Sequence, residues 1–177
     1  MYPFVRMLKE RWKYRNAPAL KVGEAHVSHH ICWPHDLDPW LELNNGRTLT
    51  FFDLGRIPAV RRLGLTRVTE ANGWRMTVAG NSIRYRRRVV VFERLEMRSR
   101  VLGWDHRFFY FEQSMWKRNG ECANHGLYRM AITGPDGIVE PPRAFDLMGQ
   151  GRVSPPLPEW VAAWIDADGQ RQWPPAR

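Results

Sequence analysis

The chain has 177 residues, 44% of them hydrophobic, and carries 27 Lys and Arg against 18 Asp and Glu, a formal charge of +9. That is enough for one core-forming domain with short extensions, and no apolar run approaches the roughly 20 residues needed to span a bilayer. The first residues are too few and too charged for a signal peptide, and two distant cysteines, Cys32 and Cys122, exclude a disulfide framework, so a cytoplasmic protein is expected.

Residues 4–15 repeat Phe4, Val5, Leu8 and Trp12 at a weak helical period with basic residues between them. A helix packed on the domain is preferred here over one touching a membrane surface. Residues 22–32 read as a first strand. The stretch Trp33–Trp40, with its prolines and aspartates, is a loop. The one clear helix starts near Asn44 or Asn45, either of which can cap it. Leu49 and Phe52, and less regularly Leu54 and Ile57, recur at helical spacing. Pro58 is expected to kink or restart this helix, and Gly64 to end it.

Residues 74–91, 93–104, 107–118 and 121–133 then read as long strands, with Asn119-Gly120 as a hairpin turn and Gly103-Trp104-Asp105 breaking the second run. Neighbours in sequence should pair antiparallel. Phe108–Phe111 is apolar on both faces, as in a strand covered on both sides. Residues 134–158, rich in Gly and Pro, read as mostly irregular, and 158–165 as a short helix begun by a proline. The expected architecture is α+β, an antiparallel sheet wrapped around a central helix. The divisions are an N-terminal helical extension (1–20), the main domain (21–150) and a C-terminal extension (151–177).

The densest charge cluster is Arg84-Tyr85-Arg86-Arg87-Arg88. No nucleic-acid recognition signature accompanies it, so the charge points to anionic small ligands rather than DNA or RNA. His26, His29, His30 and His35 lie on a strand and a loop without a partner at a metal-binding spacing, so no metal is expected. Cys32 reads as a buried, inert thiol.

The informative stretch is Asp36-Leu37-Asp38-Pro39-Trp40-Leu41-Glu42-Leu43-Asn44-Asn45-Gly46-Arg47. It resembles the hotdog-fold thioesterase signature, in which an acidic DxD loop precedes an Asn-Asn pair opening the central helix. Asp53-Leu54-Gly55-Arg56, Gly80–Arg87 and Leu102-Gly103-Trp104-Asp105 are similar to bacterial relatives of the animal thioesterase superfamily member 6 group. The resemblance covers roughly residues 22–148. It implies a hotdog fold, a homodimer (with tetramers open) and hydrolysis of an acyl-CoA or acyl carrier protein thioester. No cofactor is needed, since CoA enters as part of the substrate.

The chemistry has a physical basis of its own. Thioester hydrolysis needs a base or nucleophile and a site for the developing oxyanion. A carboxylate in the loop before a helix can supply the first, and the orphan N–H groups of the first turn the second. Asp38, the second acid of the DxD, is the preferred carboxylate. The N–H of Asn45 or Gly46 would polarise the carbonyl, Gly46 having no side chain to block approach. Asn44, Arg47, Phe52, Arg84 and Arg86 are candidate substrate contacts, the arginines for CoA phosphates and Phe51, Phe52 and Trp74 for the acyl tail. Taken alone, Asp36 and Asp38 are more often turn and cap residues. Asp53 and Arg56 could form a plain i,i+3 pair, or Arg56 could close the site or a dimer contact. Related proteins often carry a His where this chain has Glu42. Glu42 is then the catalytic group, or it orients water for Asp38, or the chain binds acyl-CoA or lipid without turning it over. A basic module for nucleic acid or acidic membranes is the other competitor.

Overall fold

The computed structural model describes residues 3–176. The element order is α1 (Phe4–Lys13), β1 (His26–Ile31), a 3-10 turn (Pro34–Asp36), α2 (Asn45–Leu63), α3 (Leu65–Ala71), β2 (Arg75–Tyr85), β3 (Arg94–Trp104), β4 (Phe109–Lys117), β5 (Cys122–Gly134), β6 (Gly137–Val139), α4 (Pro141–Leu147) and α5 (Glu159–Gly169). The strands form one antiparallel sheet in the order β1-β3-β4-β5-β2, with β6 pairing the end of β5. Register shifts at Val78/Gly80, Val101/Gly103 and Met115/Trp116 each add twist and bend the sheet. The expected α+β arrangement is therefore present, with α2 as the central helix.

Helix α2 buries Phe51, Phe52, Ala59, Val60 and Leu63 against Leu95, Met97, Phe109, Met115 and Tyr128 of the sheet. It continues past Pro58 to Leu63 without the restart the proline suggests. Pro58 has no N–H to give the Leu54 carbonyl, but Pro58, Ala59 and Val60 are all buried, and that packing outweighs the lost bond. Gly64, at φ 94°, caps α2 and turns the chain into α3, a seven-residue helix too short for its period to show in the sequence. At Gly55 a side-chain Cβ would lie 2.7 Å from Ser99 Oγ, so α2 approaches β3 backbone-first.

A buried polar contact pins this packing. Gln113 of β4, wholly buried, donates from Nε2 to the Phe52 carbonyl (2.8 Å) and Ser99 Oγ (2.8 Å) and accepts from Arg56 at Oε1 (2.8 Å). Arg56 also pairs with Asp53 and lies 4.1 Å above the Tyr128 ring. The plain i,i+3 pair is thus present, and Arg56 itself is buried under the sheet.

Other expectations shift at their boundaries. The first strand is only His26–Ile31, and the second strand stops at Tyr85, leaving residues 86–91 outside it. β3 runs through Gly103 by means of the bulge rather than breaking there. The stretch read as irregular holds β6 and α4, and the terminal helix extends to Gly169. Phe109–Phe111 is covered on both faces as expected. Phe109 and Phe111 join the α2 core, while Tyr110 packs with Leu127 and Val161 of α5. Among the described residues no helix is long and apolar enough to cross a membrane.

Two histidines of β1 are buried and held neutral. Arg62 donates to His26 Nδ1 (2.9 Å), which places the ring proton on Nε2, and that atom has no partner among the described residues. Burial, then the charges of Arg62 and Lys13, push the His26 pKa down to about 4. Burial, then Lys9, Arg6 and Lys13, push His30, beside Ser28 Oγ at 2.9 Å, down to about 3.

Two outcomes follow. The Gln113→Leu variant strands Arg56 NH1 and the Ser99 hydroxyl in the core, so urea titration should show it about 1–3 kcal/mol or more less stable. The histidine effect sets a pH slope. Between the ordinary pKa of 6.5 and about 3 the unfolded chain binds protons that the native rings refuse, so unfolding free energy falls as pH drops through that window. Urea midpoints measured from pH 7 to 4 should decline, and the H26N/H30N double variant should show a flatter decline. An unchanged slope would remove these rings from the account.

Candidate active site at the N-terminus of the central helix

The loop before α2 is built by its own side chains. Asp36 is buried and accepts from the Trp33 N–H (2.9 Å) and from Arg6 of α1 (2.8 Å). Leu37 and Leu43 form an isolated antiparallel bridge. Between them residues 38–42 close on themselves. The Asp38 N–H donates to the Glu42 carbonyl (2.8 Å), and Asp38 Oδ1 accepts from the N–H groups of Trp40 (2.9 Å) and Glu42 (3.3 Å). This is an Asx turn, in which a short carboxylate substitutes for a backbone acceptor. Both aspartates therefore perform the structural work that their residue type most often does.

Asn44 caps α2. Its Oδ1 accepts from the N–H groups of Gly46 (2.8 Å) and Arg47 (3.3 Å), and its carbonyl from Thr48 (2.9 Å). The Gly46 N–H is consequently engaged. The Asn45 N–H makes no hydrogen bond among the described residues and lies at the exposed, positive end of the helix dipole.

A cleft of about 240 Å³ opens at this end, lined by Glu42, Asn45, Tyr85, Arg86, Arg88 and Asn124 among others. Glu42, about one-third exposed, pairs with Arg88 at 2.8 Å. The Tyr85 hydroxyl reaches the Asn45 carbonyl at 3.5 Å. The helix terminus and the consecutive arginines make the cleft positive, suited to an anionic ligand.

The structure thus brings Glu42, Asn45 and Arg86 together and leaves other candidates apart. Asp38, Asn44, Gly46 and Arg47 lie in the same loop and first turn but do not line the cleft. Arg84 is exposed on β2 opposite His125, while Ile83 and Tyr85, its neighbours in the strand, take the other face. Phe51, Phe52 and Trp74 are packed inside the core, with Phe52 edge-on to Tyr128. Phe51 and Phe52 anchor α2 in the core, and Trp74 packs beside Gly134 and Arg143. Asn124 carries no functional signal in the sequence, and Tyr85 and Arg88 stand out there only as members of the Arg84–Arg88 run. Arg88 was visible in the arginine run, but only knowing that β2 ends at Tyr85 reveals that the following arginines fold over the helix end. Cys32 is buried, and burial, then Asp36, pushes its thiol up to about 11, away from the nucleophilic thiolate. Among the described residues no group of three or more His, Cys, Asp or Glu converges on a metal-binding position.

A larger cavity, about 810 Å³, lies at the opposite sheet edge beside α1, with Lys9, Glu10, His30, Arg94, Trp116 and Arg118 in its walls. It shares no residue with the α2 terminus.

The fold has counterparts among known proteins. The family model for the thioesterase-like superfamily matches residues 32–165. Protein THEM6 of Xenopus laevis is 34% identical over 166 residues, covering 92% of this chain and 78% of the frog protein. Among solved structures, YbaW, a probable thioesterase from Escherichia coli, superposes with a TM-score of 0.62 at 16% identity, over 70% of this chain and 96% of that one. The hypothetical protein SAV2348 from Staphylococcus aureus, solved in complex with CoA, superposes with a TM-score of 0.59 at 11% identity, over 80% of this chain and 94% of that one. At those identities the structures establish the fold alone, a hotdog, while the family match and the sequence relative establish that this chain belongs to the thioesterase-like superfamily.

Proposed function

We propose that the chain hydrolyses an acyl-CoA thioester at the N-terminus of α2, with Glu42 as the base. The observation that carries this reading is the convergence of a carboxylate, an unengaged helix N–H and arginines on one cleft. Glu42 takes a proton from water as the water oxygen attacks the thioester carbonyl carbon. The oxyanion is held by the Asn45 N–H and the helix dipole. Collapse of the tetrahedral adduct breaks the C–S bond, and the proton passes from Glu42 to the departing thiolate. Arg86 and Arg88 meet the CoA phosphates. The Glu42–Arg88 pair is partly exposed and contributes little to stability, so a phosphate can draw the guanidinium away and free the carboxylate.

A homodimer is part of the proposal. β2 is an eleven-residue edge strand with Val78 and Tyr85 40% and 45% exposed. Its open row of backbone donors and acceptors favours pairing with a second β2. That pairing would lay the partner's sheet beside the cleft, which ends at Tyr85.

Thiol release from a panel of acyl-CoAs tests the chemistry. Glu42→Gln should lower kcat by about 10²–10⁴-fold, whereas Asp38→Asn, which keeps the Asx oxygen, should stay within about tenfold. A collapse in D38N with E42Q intact would move the base to Asp38. Tight acyl-CoA binding without turnover would make the chain a binding protein. Arg86→Ala should raise KM about tenfold, the loss of one charge-assisted hydrogen bond, with kcat little changed. Sedimentation equilibrium should give twice the chain mass of 20.8 kDa, and a monomer would discard the edge-strand pairing.

A further inference from the structure

Helix α1 is amphipathic in the wrong sense for a helix that merely packs on its domain. At about 100° of turn per residue, Phe4, Val5, Leu8 and Trp12 share one sector and Met7, Glu10 and Tyr14 the opposite one. The apolar sector is the one that faces out. Phe4 is 61% exposed, Val5 82%, Leu8 58% and Trp12 67%. The polar sector faces in: Glu10 is 1% exposed, and the Tyr14 hydroxyl donates to the Val27 carbonyl at 3.1 Å. An exposed apolar stripe of this kind, with Val5, Leu8 and Trp12 at its centre, marks a surface that meets another apolar phase.

The charges around the stripe are of one sign. Lys9 and Lys13 flank it on one side and Arg11 on the other, all exposed, and Arg15 stacks over the Trp12 ring at 4.3 Å. The only acid of the helix is the buried Glu10, 3.6 Å from Lys9, and burial holds its carboxyl above the ordinary range. Helix α1 therefore shows the solvent no carboxylate. The cavity beside it adds to the field. Lys9 belongs to its wall, with Arg94 and Arg118, neither of which has a side-chain partner among the described residues.

We propose that α1 docks this protein on an anionic phospholipid surface, with Phe4, Val5, Leu8 and Trp12 at the level of the acyl boundary and Lys9, Arg11, Lys13 and Arg15 among the headgroups. An apolar stripe on one face with cations at its borders is the pattern of a helix that lies in the plane of the interface. Each cation near an anionic leaflet adds to the attraction, and salt weakens it. The occupant is a lipid surface rather than a second copy, because a second copy would bring the same cations to face their equals. This inference is independent of the thioesterase reading and stands or falls separately.

Cosedimentation of the full chain with vesicles tests it. Phosphatidylcholine vesicles in which roughly a third of the lipid is phosphatidylglycerol should carry the protein down, and pure phosphatidylcholine should do so at least tenfold less. Val5→Glu with Leu8→Glu should cut binding to the anionic vesicles at least tenfold, and Lys9→Glu with Lys13→Glu should do the same. Val5 and Leu8 are exposed, so thermal unfolding of V5E/L8E should match the parent and separate a docking defect from a folding defect, whereas K9E/K13E also removes the Lys9–Glu10 pair and is compared with the parent only after its own unfolding is measured. Equal sedimentation with both vesicles, or full binding by V5E/L8E, overturns the proposal. So does a parent that ignores vesicles while V5E/L8E changes its sedimentation coefficient, which would assign the stripe to a contact between copies.

Discussion

A guanidinium buried beneath a sheet is costly unless its charge and its donors are met. Arg56 is met on three sides, by Asp53 on its own helix, by Gln113 in the middle of β4 and by the Tyr128 ring on β5. Gln113 in turn holds a carbonyl of α2. Apolar contacts alone would let a helix of this length rotate or slide by part of a turn at little expense, because oily surfaces are interchangeable. The hydrogen bonds have direction and admit one rotation and one axial position. Gly55, seated directly over Ser99, sharpens that choice. The point at which the helix emerges from the sheet, and so where the Asn45 N–H lies, depends on this contact more than on anything in the loop that precedes it.

The loop solves a different problem. A helix start leaves four orphan donors, and a site that needs one of them for an oxyanion must satisfy the others without covering it. Asn44 takes the N–H groups of Gly46 and Arg47 and leaves that of Asn45. Asp38 spends one oxygen on closing the 38–42 turn, and Asp36 is tied to Arg6. The turn's last member, Glu42, is the carboxylate delivered to the cleft. The two aspartates of the DxD thus belong to the frame of the loop, and the carboxylate that lines the cleft comes four residues after the second of them.

The division between what could be read in the chain and what could not follows the range of the forces. Features decided within a few residues were legible: the Asn44 cap, the Asn119-Gly120 turn, the Gly64 stop and the four long strands. A restart at Pro58 does not occur because the helix through it is held by buried contacts remote in sequence. Helices α3 and α4 are too short to show a period, and the prolines that suggested irregular chain before α4 in fact begin it. The site was legible as a segment but not as a set of side chains. Whether Asp38 or Glu42 faces the cleft depends on the turn's hydrogen bonds, and whether Arg84 or Arg86 does depends on where β2 stops. Phe52 has the right spacing for either a tunnel wall or a core, and only its complete burial decides.

The same logic extends to charge. A formal +9 says nothing of where the cations gather, but strand register does. Ile31 pairs Arg94, Leu95 pairs Lys117, Trp116 pairs Cys122 and Tyr85 pairs Asn124, so β1, β2 and β4 finish, and β3 and β5 begin, at one end of the sheet. Arg86 and Arg88 at the cleft, and Arg94, Lys117 and Arg118 beside α1, all sit at that end. Fields from cations on one rim add, and they fall off over a Debye length of about 8 Å at physiological salt. Such a rim draws anions to itself in preference to the rest of the surface. An acyl-CoA bears its phosphates at one end and its acyl group at the other, as a membrane bears its headgroups over its acyl layer. If the cleft takes an acyl-CoA and α1 meets a lipid surface, as proposed, the same chemistry, cations beside an apolar face, serves both.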